Sequence, residues 1–311
     1  MTETPAAPRP LARGVYGVLA TPFAGPDLAV DTGSLRAQVR LLRSAGAVGL
    51  VALGVFGEAA SLDPDEQRLV VETVAGEAPG LPLVIGLSGR ATAPVVAQAT
   101  RLLATGVTPA GLMVQVHSTD PDVLLRHLDA VHAATGAGVV VQDYPALSGV
   151  TVPPAAIAGV VARAPYVVAV KAEAPPTAAA VAALTAATAV PVFGGLGGVG
   201  LLDELAAGAA GAMTGFSFPE GLVRAVTAHA AGGFDAARAA WAPWLPLSTF
   251  ETQPGIGLAV RKRLLHHRGV LADPAVRPPA RPFPAVLDNL ARAHLAAAAP
   301  LLEEEPRWTS G

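Results

Sequence analysis

The sequence predicts an α/β protein, a (β/α)8 TIM barrel followed by a C-terminal helical subdomain. Three observations carry that prediction. Short β-branched or apolar runs recur eight times, centred near Val18, Val51, Val84, Leu112, Val141, Val168, Val192 and Ala212. Each is followed by an Ala- and Leu-rich stretch of helical periodicity with its charges on one side. Successive centres lie 20 to 33 residues apart, the length of one strand plus one helix. The runs are continuously apolar rather than alternating, as strands covered on both faces must be, which favours a closed parallel barrel over an open sheet.

The joints between runs support the same order. Asp63-Pro64-Asp65-Glu66 and Asp120-Pro121-Asp122 each place an acidic cap before a proline at the first helical position, where free amides need an acceptor and no N–H is lost. The uncharged run from Ala174 to Leu202 is long enough to cross a bilayer. Pro175, Pro176, Pro191 and four glycines between Gly194 and Gly198 interrupt it, so it reads as a buried helix followed by a strand. After Pro219 the strand signal stops and only helical patterns remain. The expected organisation is therefore a barrel over 14–221 and a helical subdomain over 222–298, with loose ends at 1–13 and 299–311.

Composition narrows the function. Hydrophobic residues make up 52% of the 311-residue chain and the net charge is −3. With no basic stripe, nucleic acid and anionic membranes are poor partners, and a small-molecule ligand is expected. The absence of cysteine excludes disulfides, thiolate nucleophiles and cysteine-based metal sites. No apolar h-region lies between Met1 and Gly14, so a cytoplasmic location is expected. A mean hydropathy of +0.48 suits a homo-oligomer that buries surface between copies.

In such barrels reactive side chains gather at the C-terminal ends of the strands. The chain has only two lysines. Lys262, in Arg261-Lys262-Arg263, reads as part of a solvated helical face. Lys171 ends the apolar run Tyr166 to Val170, where an ammonium is poorly solvated and a free amine could attack a carbonyl to form a Schiff base, the alternative being an ion pair with Glu173 or Glu58. By strand parity Glu173 lies above Lys171 on the inward face, as an acid–base group or a counterion. Tyr144 likewise shares a face with Gln142, one layer nearer the mouth, as a hydroxyl donor or a rim aromatic. After the second run, Gly54-Val55-Phe56-Gly57-Glu58 could form a nest of backbone amides for a carboxylate, or a packing turn. His117 is either a substrate contact or polar packing. The glycines around Gly195 could bind phosphate through amides, or make a tight turn.

These features together resemble the family of dihydrodipicolinate synthase and N-acetylneuraminate lyase, class I aldolases on a (β/α)8 barrel. The resemblance runs from Gly14 to Val270 through Ala20-Thr21-Pro22-Phe23, Gly54 to Glu58, Pro145 to Gly149, Lys171 and Gln253-Pro254-Gly255. It implies a Schiff-base lyase or aldolase for pyruvate or another 2-oxo acid, with an aldehyde co-substrate, no metal or organic cofactor, and a tetrameric or dimeric assembly. The departures argue against true dihydrodipicolinate synthase activity. Two family threonines fall on Val55 and Phe56, the proton-relay tyrosine on Gln142, the aromatic pair after strand four near Val116 and His117, and the substrate arginine on Leu147. Phe56 and Leu147 imply a less polar second substrate. The other reading is a barrel that binds the ligand and has lost turnover.

Overall fold

Eight parallel strands close into a barrel in chain order in the computed structural model, which describes residues 8–303. They are β1 (Gly14–Val18), β2 (Gly49–Ala52), β3 (Leu83–Gly86), β4 (Gly111–Gln115), β5 (Val139–Asp143), β6 (Val167–Ala172), β7 (Val192–Gly194) and β8 (Gly211–Thr214). Every run named from the sequence falls on one of them. Parity then divides each strand. Tyr16, Val51, Val84, Met113, Val140, Ala169 and Phe193 fill the barrel, whereas Val15, Leu50, Ile85, Leu112, Val141 and Val170 pack outward against the helices. Gly49 is required here, because the ring of Tyr16 on the adjacent strand occupies the place of a Cβ. That ring meets Phe193 edge-on, centroids 5.3 Å apart.

The predicted caps form. Asp63 accepts from the amides of Asp65 and Glu66 while Glu66 accepts from Asp63, a capping box that starts the helix Pro64–Glu77. Asp120 caps Pro121–Thr135 by accepting from the amides of Asp122 and Val123. The long uncharged run resolves into the helix Thr177–Ala187 and then β7. Among the described residues no helix is long and apolar enough to cross a membrane.

The C-terminal region is more closely tied to the barrel than its composition suggests. The helix Pro219–Trp241 starts as the last helix of the barrel and continues beyond it, broken at Gly232 and Gly233. Trp241 and Trp244 pack edge-on against Phe216, just past β8. The helices Leu245–Glu251, Gly257–His267 and Asp288–Glu303 follow. Residues 268–284 between the last two are irregular chain rather than helix. Leu11 is buried and donates its amide to the Val168 carbonyl at 3.0 Å, and the last helix reaches Glu303; residues 1–7 and 304–311 lie outside the described residues.

Lys262 overturns the reading of a solvated face. It is fully buried, its ammonium donating to the Glu58 carboxylate and, at 2.9 Å, to the Ala275 carbonyl. Lys262 and Arg277 both lie over the ring of Phe23, at 4.2 and 4.3 Å. Glu58, with a left-handed backbone (φ 51°), also accepts the Arg277 amide at 3.1 Å. Burial lowers the pKa of Lys262 from its ordinary value, with Glu58 opposing that shift. The flanking arginines suggest a solvated helix, but Glu58 and Phe23 arrive from the loops after β2 and β1.

Candidate active site

Strand register assembles the centre. Gln142 on β5 stands beside Lys171 on β6, which stands beside Phe193 on β7. All three point inward, and Glu173 follows two residues after Lys171 on the same side. The Lys171 Nζ lies 3.2 Å from Glu173 Oε2, both side chains nearly fully buried. Gln142 Nε2 donates to that same carboxylate oxygen at 2.7 Å, and the Leu196 amide donates to the other at 3.3 Å. Gln142, on which the proton-relay tyrosine falls in the resemblance, is thus the group that holds Glu173 against the lysine.

A small hollow of about 30 Å³ sits on this pair. It is bounded by Val18, Val55, Phe56, Gln142, Tyr144, Lys171, Glu173, Leu196, Thr214 and Gly215. Burial, with Glu173 adding, raises the pKa of the Tyr144 phenol from its ordinary value of 10, so the hydroxyl keeps its proton at neutral pH. Val55 and Gln142 also line an adjoining cavity of about 350 Å³ that takes in Gly54, Ser61, Ser88, Arg90, Gln115, His117, Leu147, Pro279 and Ala280. Burial, and then the charge of Arg90, lowers the pKa of His117, so its imidazole is neutral at pH 7. A larger hollow of about 750 Å³ lies at the opposite end of the barrel, around Leu11, Tyr16 and Pro109, away from these groups.

Most residues singled out from the sequence therefore meet: Lys171, Glu173, Gln142, Tyr144, Val55 and Phe56 around the small hollow, and Gly54, His117 and Leu147 around the larger one. Gly57 stands behind them, its carbonyl accepting the Thr21 hydroxyl at 2.6 Å. Of the two residues from which a less polar second substrate is read, Phe56 faces the small hollow and Leu147 lines the larger cavity, whose mostly apolar wall also carries Arg90, His117, Gln115 and two serines. Gly195 lies against the Glu173 carboxylate, which would overlap a Cβ there. The neighbouring amides are also engaged, Leu196 with Glu173 and Gly197 with Thr214 Oγ1 at 2.8 Å, which leaves that turn unsuited to phosphate. Among the described residues no group of three or more His, Asp or Glu side chains is placed to hold a metal ion.

Two further buried carboxyls surround Glu173. Asp143, on the outward face of β5, has no hydrogen-bond partner for either oxygen, and burial followed by the charge of Glu173 pushes it up to about 6. Glu204 on the helix Leu201–Ala206 is pushed up to about 7 by burial, with Thr177 opposing and Glu173 and Asp203 adding. No local sequence signal marks either; strand parity alone places Asp143 off the barrel interior. Glu204 carries a proton in the native state that the unfolded chain releases above its ordinary pKa of 4.5. Stability is therefore fully present below about 4.5 and lost as pH rises through about 7, by up to roughly 1.4 kcal/mol per pH unit. The variant Glu204→Gln is expected to melt higher than the parent at pH 8 and to match it near pH 4.5. Thermal melts over that range check this; a pH-independent difference would refute it.

Comparison with known proteins decides the family. The model described as "Dihydrodipicolinate synthetase family" matches residues 11–297, nearly the whole chain. The chain belongs to the dihydrodipicolinate synthetase family. It is thereby an enzyme of the lyase and aldolase type. Within that family it is 29% identical over 281 residues to an L-2-keto-3-deoxyarabonate dehydratase from Azospirillum brasilense, covering 87% of this chain and 89% of that one. The structure resembles a dihydrodipicolinate synthase from Rhodopseudomonas palustris with a TM-score of 0.86 at 27% identity, over 93% of this chain and 99% of the other. It shares its fold with a prophage member of the family from E. coli K12 solved in complex with pyruvate, TM-score 0.81 at 20% identity, covering 94% and 99%.

Proposed function

We propose that the protein is a Schiff-base lyase for a 2-oxo acid, and that the bond it breaks is the carbon–oxygen bond at C4 of a 3-deoxy-2-oxo sugar acid. The observation that carries this reading is the Glu173 carboxylate fixed 3.2 Å from Lys171 Nζ by Gln142. Lys171 attacks the C2 carbonyl once Glu173 has taken its proton; Glu173 then returns that proton to the carbinolamine hydroxyl, which leaves as water and gives the protonated imine with Glu173 again a carboxylate. C3 then lies one bond beyond the imine carbon, within reach of the same carboxylate. Glu173 removes the C3 proton, the electrons pass to the imine nitrogen, and the resulting enamine expels the C4 hydroxyl as water with a proton from Tyr144. Hydrolysis releases the product from Lys171.

Retro-aldol cleavage needs a base at the C4 hydroxyl instead. Gln142 cannot gain or lose a proton near neutrality, which disfavours both that route and true dihydrodipicolinate synthase activity. The similarity to a dehydratase across almost the full length of both chains supports elimination. Arg90, Ser88 and Gln115 offer polar contacts to the hydroxylated end of the substrate. The deciding experiment is product analysis on a panel of 3-deoxy-2-oxo acids. Dehydration conserves the carbon count and releases no pyruvate, whereas aldol cleavage yields pyruvate that lactate dehydrogenase reports. Release of pyruvate at the rate of substrate loss would overturn the dehydration reading.

The variant Tyr144→Phe is expected to lower turnover at least tenfold while leaving imine trapping at Lys171 intact, since general-acid assistance is worth about 10²–10⁴-fold. Steady-state rates with borohydride trapping test this; parent-like turnover would remove Tyr144 from the reaction. The same reading has the enzyme working in the cytoplasm as a homo-oligomer, which light scattering at micromolar concentration tests.

A further inference from the structure

The hydroxyls absent at Val55 and Phe56 raise the question of what meets the carboxylate of a 2-oxo acid. The turn itself contributes amides: Gly57 and Glu58 donate back to Gly54 and Val55, leaving the amides of Val55 and Phe56 without a backbone acceptor. A positive charge lies directly behind them. Arg261 is 1% exposed, and its guanidinium carbon sits 3.8 Å from the centroid of the Phe56 ring. Its Nε donates to Glu251, but neither Nη1 nor Nη2 has a hydrogen-bond partner. Buried donors are nearly always satisfied, and leaving one unmet costs about 1–3 kcal/mol, more when charged. Two unmet nitrogens on one buried guanidinium are therefore an exception with a cause.

Their position supplies it. Nη1 lies where a side chain on Gly215 would be, and Gly215, Val18 and Phe56 all bound the hollow that holds Lys171. Glu251 does not compete for this edge: its carboxylate is taken up by the Ser217 amide at 3.0 Å and the Ser217 hydroxyl at 2.6 Å. The pair is neutral overall, and its guanidinium end lies behind Gly215 and Phe56, which form the wall between it and the hollow. Phe56 stacks on the guanidinium and sets its plane.

We infer that Arg261, from directly behind Gly215 and Phe56, supplies the positive charge that draws the carboxylate of the 2-oxo acid to this wall in place of the two missing hydroxyls. A guanidinium buried away from water and with two unpaired nitrogens acts on such a charge more strongly than a solvated one would. The arrangement selects substrates that carry the acid next to the oxo group. This inference rests on imine formation at Lys171.

The test is borohydride trapping at Lys171, titrated with pyruvate and with its methyl ester, which keeps the oxo group and lacks the charge. For Arg261→Met the half-saturating pyruvate concentration is expected to rise at least tenfold, while that of methyl pyruvate stays within twofold. Gly215→Ala, which crowds Nη1 and keeps the charge, should shift the same way. Arg261→Lys should recover part of the loss. If Arg261→Met does not fold, the double variant Glu251→Gln/Arg261→Met removes both buried charges and answers the same question. Parent-like trapping by pyruvate in these variants, or equal weakening for acid and ester, overturns the role of Arg261. Failure of the parent itself to trap any 2-oxo acid would instead overturn the Schiff-base reading.

Discussion

Replacing Lys171 by methionine is expected to abolish the imine and to lower turnover by more than 10³-fold, the largest effect of any single change. Methionine keeps the length and apolar stem but has no nucleophile, and the chain has no other lysine within the hollow. Lys262 is held by Glu58 and Ala275 behind the turn and does not line the hollow. Lys171→Met leaves the buried Glu173 carboxylate without its counter-charge, at a cost of about 3–5 kcal/mol, although that carboxylate keeps its bonds from Gln142 and Leu196; the double variant Lys171→Met/Glu173→Gln removes both charges and gives the same readout if the single variant unfolds. Intact-mass analysis after borohydride reduction, with circular dichroism as a folding control, checks this. A retained adduct would place the nucleophile elsewhere.

The variant Glu173→Gln should separate imine formation from the chemistry that follows. It preserves shape but cannot accept the C3 proton, so turnover should fall by about 10²–10⁴-fold. Trapping should survive, more slowly at neutral pH because the amine loses its adjacent base. Deuterium exchange at C3 of bound pyruvate provides a direct readout, expected in the parent and lost in Glu173→Gln. Exchange at the parent rate would reduce Glu173 to a counterion and return the proton transfer to Tyr144 or water.

How much of this was legible beforehand depended on whether the physical cause was local. The eight strands were, because each is a continuous apolar run with its helix attached. So was the inward pairing of Lys171 with Glu173 and of Gln142 with Tyr144, because parity along a strand fixes which residues share a face. Lys262 was not: its flanking arginines imitate a solvated helix, and Glu58 and Phe23 come from loops at the other end of the chain. Arg261 was hidden by the same basic triplet. Glu204 lies on a short helix behind β7, and its environment is created only when the glycines at 194 and 200 bring backbone against it. Which hollow Phe56 faces was not legible, since a 3₁₀ turn has no strand parity to read.

The anchoring of Glu58 by Lys262 and by the Arg277 amide bears on biosynthesis. The turn that forms one wall of the site is encoded early, yet its clasp is encoded more than 200 residues later. A chain emerging from the ribosome can close all eight strands while this turn still lacks its anchor. Competence to bind the oxo acid should therefore appear only when the segment through Arg277 has cleared the exit tunnel, well after the barrel itself is protected from protease.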